Sequence, residues 1–131
     1  MQRREFDVYV QRFSARDYGV FNDYYIPDFE LHVSSTVVLK GLDEVQRFYK
    51  FLHHHIQERI LVDRFVSDQH TIALEVRVQI TGIRELTAEA IAAAGYTSLH
   101  PIAVGQTIDI PQFIHYHIGA EKFEAVICAL R

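Results

Sequence analysis

The last quarter of the chain carries the strongest structural pattern in the sequence. Two runs rich in β-branched and aromatic residues, Thr107 to Ile118 and Lys122 to Leu130, flank the short polar segment 119–121, which begins with Gly119. A glycine-containing loop of this length between two such runs predicts a β-hairpin. Two strands alone are only marginally stable in water, so the rest of the chain must supply further strands and a covering layer.

Side chains of the first of these strands alternate between two faces. Phe113, His115 and His117 share one face, and the other face carries Gln112, Ile114, Tyr116 and Ile118. We expect the histidine face to carry any chemistry. The opposite face is too apolar to be left in water, so a second copy of the chain is predicted to cover it, giving a homodimer.

The chain before this hairpin supplies the helices and the remaining strands. Phe6, Tyr9, Val10 and Phe13 recur at i, i+3, i+4 and i+7, the apolar stripe of a helix that packs on a sheet. The predicted elements are a helix from Arg4 to Ser14, a short helix that Asp17 caps and Pro27 ends, a strand from Phe29 to Leu39, a helix from Gly41 to about His55, and strands from Arg59 to Val66 and from Thr71 to Thr81.

The segment between Gly82 and Gly105 interrupts what would otherwise be one long hairpin. Thr87 is placed to cap a short alanine-rich helix that ends at Gly95. An insertion between long strands must emerge at an end of the sheet. We therefore expect this segment to lie across the mouth of a pocket or to reach a partner subunit.

Length, charge and cysteine content restrict the class of protein. With 131 residues and 49% apolar content, residues 1–131 are expected to form one domain with its own core. A net charge of −4 without any Lys/Arg block argues against nucleic acid and anionic membranes as partners. No stretch approaches the roughly 20 apolar residues of a membrane span, and Cys128 is expected to be a buried thiol. We therefore expect a soluble, cytoplasmic protein.

The histidines raise the question of a metal site. Residues 53–55 are consecutive histidines, and consecutive helical side chains point about 100° apart, so they cannot converge on one ion. We expect them to be solvated at the C-terminal end of the third helix, where imidazole side chains interact favourably with the negative end of the helix dipole. His115 and His117, with a carboxylate, would make a two-His-one-carboxylate set, but an H-x-H pattern is short and common. No metal and no cofactor is predicted.

The order of elements and four short motifs carry a family resemblance. The motifs are Asp17 before the second helix, the segment 27–32 (PDFELH), the segment 41–45 (GLDEV) before the third helix, and the closing turn at 119–122. With these the chain resembles the nuclear transport factor 2-like superfamily, which includes ketosteroid isomerases and SnoaL-like polyketide cyclases. The resemblance implies an α+β fold in which a curved antiparallel sheet forms a cone covered by three N-terminal helices, a cystatin-like arrangement. It also implies an apolar pocket inside the cone and a homodimer through the outer sheet face.

The resemblance transfers functional residues only in part. Tyr9, eight residues before Asp17, stands where a ketosteroid isomerase has a tyrosine, and His32 stands where many SnoaL-like sequences have a histidine. The catalytic aspartates of the isomerases would fall near Val33 and Phe113, so both carboxyl groups are missing here.

Three residues are predicted to carry chemistry. Tyr9 is the candidate oxyanion donor, and His32 and His115 are the candidate acid/base groups, since imidazole titrates near neutrality. We expect the three to meet at one point inside the cone, with Phe13, Tyr25, Phe48, Phe113 and His117 lining the substrate site. The alternatives are a core tyrosine bonded to a backbone carbonyl, and histidines satisfied by neighbouring hydroxyls. Three strand carboxylates either orient such a histidine or are solvated and paired: Asp63, Glu75 and Asp109.

These residues predict a cofactor-independent isomerase, lyase, hydratase or cyclase acting on a small, apolar, oxygenated ring compound. Nucleophile and phosphate-binding motifs such as G-x-S-x-G are absent from the sequence. The alternative is a domain that only holds a small hydrophobic ligand or mediates dimerisation. The two differ in whether polar groups converge within the cavity or merely line its mouth.

Overall fold

The computed structural model describes residues 1–131 and contains four helices and six strands. The helices are α1 (Arg3–Ser14), α2 (Val20–Tyr24), α3 (Leu42–His55) and α4 (Ala88–Ala93). The strands are β1 (Tyr25–His32), β2 (Val38–Lys40), β3 (Ile56–Ser67), β4 (Thr71–Gly82), β5 (Thr107–Ile118) and β6 (Phe123–Leu130). No helix is long and apolar enough to cross a membrane.

All six strands form one curved, unclosed sheet in the order β2-β1-β6-β5-β4-β3. The predicted C-terminal hairpin is confirmed as β5 and β6, which pair antiparallel, and β3, β4 and β5 continue the antiparallel sheet. Only β1 and β6, the first and last strands of the chain, pair in parallel. The sheet with its N-terminal helices confirms the α+β prediction.

The N-terminal helices cover the inner face of the sheet. α1 buries Phe6, Tyr9 and Phe13, as its apolar stripe predicts, and its Phe6 ring lies 5.3 Å from the ring of Tyr116 on β5. α3 buries Val45 and other apolar residues of its inward stripe. Together the buried apolar residues form one cluster between the helices and the inner sheet face.

The first strand differs from its prediction. β1 begins at Tyr25, so Pro27 does not end a helix but lies inside the strand. The ladder between β1 and β6 shifts register between Tyr25 and Glu30, and a residue without an N–H is tolerated there because no ladder bond is required. The predicted strand from Phe29 to Leu39 is in fact two antiparallel strands, joined by a turn in which Val33 N donates to Val37 O (2.9 Å).

The two faces of β5 are opposite to the prediction. Ile114 and Tyr116 are buried beneath the helices, whereas Phe113, His115 and His117 are exposed on the outer face. The helices cover the face that carries the larger number of apolar side chains, which also includes Ile108 and Ile110. A second copy of the chain is therefore not needed to cover Ile114 and Tyr116, because the helices of the same chain already cover them.

The segment between β4 and β5 packs back onto α3 and closes one end of the inner face. Thr87 Oγ1 accepts from Ala90 N (3.1 Å), which confirms the predicted cap of α4. A backbone bridge joins Leu86 to Ile102, and the Tyr96 ring lies 5.3 Å from that of Phe48 on α3. Tyr96 anchors the segment to α3, and Ser98 and Leu99 lie at the cavity between the helices and the inner sheet face.

Candidate active site

A cavity of about 160 Å³ lies between the inner sheet face and helices α1 and α3. Of its 21 lining residues, 18 are hydrophobic. Because an apolar cavity of about 150 Å³ in another protein accommodates benzene, this volume suits one small ring. The polar residues among the lining are Glu58, Ser98 and Gln112, and the hydroxyl groups come from Tyr9, Tyr25, Tyr49 and Tyr116.

A pair of hydrogen-bonded tyrosines forms part of the cavity wall. Tyr9 projects from α1 and Tyr25 is the first residue of β1; both are buried, and their hydroxyl groups are hydrogen-bonded to each other. Tyr116 of β5 adjoins them, with its ring 6.1 Å from the Tyr9 ring. Burial raises the pKa of all three phenols, and Coulombic interaction with the neighbouring phenols adds to this for Tyr9 and Tyr116. These hydroxyls therefore stay protonated at neutral pH and act as hydrogen-bond donors rather than bases.

Glu58 brings a carboxylate into the same cavity. It is the third residue of β3, and its side chain is only 12% exposed. Its Oε1 lies 3.1 Å from Nε2 of His53, a side chain of α3 that is 4% exposed. The Glu58 charge is close enough to raise the pKa of Tyr25 and Tyr49, in both cases after the larger effect of burial. Glu58 is the one residue of the lining that has a carboxyl group.

Cys128 lines the cavity from β6 without being a nucleophile. Burial, and then the charge of Glu58, raise the pKa of its thiol to about 12. The thiolate is the reactive form of cysteine, so at neutral pH this side chain behaves as a small apolar wall residue. The residue is half-buried rather than fully buried, as the sequence predicted it to be.

Four of the eight residues predicted for the site line the cavity: Tyr9, Phe13, Tyr25 and Phe48. His32 does not, because it points away from its cavity-lining neighbours Leu31 and Val33 and its Nε2 lies 3.1 Å from Glu30 Oε1. The outer face of the sheet carries the remaining three: Phe113, His115 and His117. Tyr9, His32 and His115 therefore do not meet at a common point inside the cone. His32 and His115 lie outside the cavity because successive residues of a strand point to opposite faces of the sheet, and the neighbours of each histidine face the helices.

The other carboxylates considered from the sequence lie on the outer face and are paired there. Asp63 accepts from Arg77 and Arg131, Glu75 pairs with Arg64, and Asp109 accepts from Gln79. This is the alternative in which strand carboxylates are satisfied by neighbouring side chains. None of the three lines the cavity.

Two functional candidates were not found from the sequence. The sequence predicts a strand that begins at Arg59 and so excludes Glu58, whereas β3 begins at Ile56. His53 was expected to be solvated with its two neighbours, yet only His54 is exposed. The usable signal was the alternation of Ile56, Glu58 and Ile60, which places one carboxylate on an otherwise apolar strand face.

Comparison with solved structures gives the same architecture. A SnoaL-like polyketide cyclase from Agrobacterium tumefaciens matches with a TM-score of 0.70 and 14% identity, covering 100% of this chain and 93% of that one. An LEH-like epoxide hydrolase from M. tuberculosis matches with a TM-score of 0.72 and 6% identity, covering 98% and 80%. The chain has the nuclear transport factor 2-like fold.

A third structure with this fold is a nuclear transport factor 2-like protein of unknown function from Burkholderia pseudomallei. Its TM-score is 0.70 at 14% identity, and the match covers 100% of this chain and 92% of that one. No protein-family model matches the sequence, and no curated protein matches it. Proteins that share one fold can have different activities, so function must be argued from the residues that line the cavity of this chain.

Proposed function

We propose that the protein is a cofactor-independent acid/base enzyme that removes a proton next to the carbonyl group of a small, largely apolar ring compound. The observation that carries the proposal is the presence of one carboxylate, Glu58, in an apolar cavity that also contains the hydrogen-bonded pair Tyr9 and Tyr25. A base and a hydroxyl donor are the two groups that enolisation of a ketone requires.

In the proposed reaction Glu58 accepts the proton as the C–H bond breaks, and the electron pair moves onto the carbonyl oxygen. Tyr9 donates a hydrogen bond to this oxyanion, with Tyr25 and Tyr116 beside it. Such donors are most effective where water is excluded, and 18 of the 21 lining residues are hydrophobic. Glu58 then returns the proton to another carbon, giving an isomerisation. In an elimination, a leaving group β to the carbonyl departs with its bonding electron pair and takes the proton from Glu58, which restores the base.

The fold comparisons are compatible with this reaction class, since the related structures include a protein named as a polyketide cyclase and one named as an epoxide hydrolase. The cavity volume of about 160 Å³ favours a single ring over a fused ring system. Cys128 remains a thiol, which argues against covalent catalysis at this site.

The test uses a panel of monocyclic β,γ-unsaturated ketones, beginning with 3-cyclohexen-1-one. Conversion to the conjugated isomer is followed by ultraviolet absorbance. We expect Glu58→Gln to lower kcat by about 10²-fold or more, because it removes the base without changing the size of the side chain. Tyr9→Phe is expected to lower kcat by about 10²-fold, because it removes the oxyanion donor.

Glu75→Gln is the matched control, since it makes the same substitution on the outer sheet face and should leave kcat unchanged. Circular dichroism establishes that each variant is folded. Wild-type rates in both cavity variants would refute the assigned roles. Binding of the ketones without turnover by the wild-type protein would refute the enzyme and favour the ligand-binding alternative.

A further inference from the structure

His53 is the closest partner of Glu58 and has no place in the reaction described above. We propose that it is a positioning residue: its Nε2–H donates to Glu58 Oε1 and fixes the direction of the carboxylate at the cavity wall. The functional part of this proposal rests on the proposed role of Glu58 as the base.

The imidazole is held on several sides by aromatic rings. The ring centroids of Phe13 and Tyr49 lie 5.3 and 5.6 Å from that of His53, and the ring of Tyr18 stacks at 6.2 Å. With 4% of its side chain exposed, His53 has little freedom to leave this orientation. The partner of Glu58 is therefore itself fixed by packing, which is the requirement for a residue that acts by positioning another.

The second ring nitrogen identifies the tautomer. His53 Nδ1 is buried and has no hydrogen-bond partner. A proton on Nδ1 would be an unpaired buried donor, whereas a proton on Nε2 is paired with a carboxylate oxygen at 3.1 Å. The favoured state is thus a neutral imidazole that carries its proton on Nε2. In this state His53 orients Glu58 without neutralising its charge, and the bare Nδ1 offers no onward path for a proton.

The chain path explains how the pair is held. α3 ends at His55 and β3 begins at Ile56, so no loop separates the helix that carries His53 from the strand that carries Glu58. The five-residue separation therefore spans a rigid corner. A small displacement of a catalytic group can cost about 10²-fold in rate, which is the scale of effect expected when the corner pair is broken.

The first experiment reads the tautomer directly. Nitrogen-15 NMR of the wild-type protein with labelled histidine, with His53 assigned through the His53→Gln variant, should show Nε2 protonated and Nδ1 bare at neutral pH. Glu58→Gln should shift the His53 Nε2–H resonance, because a charge-assisted hydrogen bond is lost. His54→Gln is the control, since His54 is exposed and its loss should leave the His53 signals unchanged.

The second experiment compares two replacements in the ketone assay. His53→Gln keeps an N–H donor and should retain kcat within about 10-fold, whereas His53→Leu keeps apolar volume without a donor and should lower kcat by about 10²-fold at unchanged KM. Equal kcat values in the two folded variants would overturn the positioning role. If His53→Leu does not fold, the NMR experiment decides.

A protonated Nδ1, a doubly protonated ring, or His53 signals that do not respond to Glu58→Gln would each overturn the proposal. The NMR readout requires no substrate. Absence of turnover with a protonated Nε2 would therefore refute the proposed function but leave the His53–Glu58 pair established. Turnover with a protonated Nδ1 would support the proposed function and refute the proposed role of His53.

Discussion

The hydrogen bond between Tyr9 and Tyr25 gives a quantitative test of the cavity structure. Both side chains are buried, at 2% and 4% exposure, so a hydroxyl that loses its partner has little access to water. Replacing one tyrosine by phenylalanine keeps the ring packing and leaves the other hydroxyl unpaired, which costs about 1–3 kcal/mol. Replacing both removes donor and acceptor together and should cost much less than the two single changes added.

Urea unfolding followed by circular dichroism measures the free energy of unfolding of the wild-type protein, both single variants and the double variant. We expect a coupling energy of about 1 kcal/mol or more between the two positions. Tyr18→Phe removes a partly exposed hydroxyl and should change stability by less than about 0.5 kcal/mol. Single changes that add to within about 0.3 kcal/mol would show that the two hydroxyls do not interact and would refute the reasoning.

Three further predictions concern other parts of the molecule. In the folded protein the pKa of Cys128 is raised to about 12, and the pKa values of the cavity tyrosines are raised as well. As the pH rises the unfolded chain therefore loses these protons before the folded protein does, so the free energy of unfolding should fall above about pH 9. A urea midpoint that does not change between pH 7 and pH 10 would contradict this. Leu99→Ala should let two-ring ketones bind, measured by calorimetry, because Leu99 lines the cavity; unchanged affinity for one-ring and two-ring ligands would place the size limit elsewhere. We also propose a homodimer through the outer face, where Phe113, Ile127 and Val66 are 41%, 37% and 69% exposed; sedimentation equilibrium should give twice the 15.2 kDa chain mass, Phe113→Glu should reduce it to one chain, and a wild-type monomer at micromolar concentration would rule the dimer out.

Local periodicity was sufficient to predict most elements of the fold. The stripe of α1, the alternation of β4 and the glycine-containing break between β5 and β6 each identify an element from neighbouring residues, and all three are confirmed. The N-terminal end of β3 was missed for the opposite reason. α3 passes into β3 without a glycine or proline, so no turn signal separates helix from strand, and only the alternation of Ile56, Glu58 and Ile60 indicates that the strand begins at Ile56.

The buried face of a strand can be predicted only from the apolar residues along its whole length, not from the candidate residues alone. On β5, residues 112–118 alone do not determine which face is buried. Ile108 and Ile110 lie on the same face as Ile114, and this longer apolar set places the two histidines on the outer face. On β1 the buried residues Phe29 and Leu31 have the parity of Val33, which turns His32 away from the cavity. In both strands the longer apolar set determines the face, because the sheet buries whichever side removes more apolar surface from water.

The carboxylates of the sheet have different surroundings on its two faces. Asp63 and Glu75, on the outer face, each meet at least one guanidinium group. Glu58, in the apolar wall, has one side-chain partner, the imidazole of His53, and no guanidinium or ammonium group lines the cavity. A carboxylate in this environment destabilises the fold relative to an apolar residue, and a cavity that only holds hydrophobic ligands has no use for it. The cost of keeping Glu58 in the apolar wall therefore supports its proposed role in proton transfer over the alternative of passive binding.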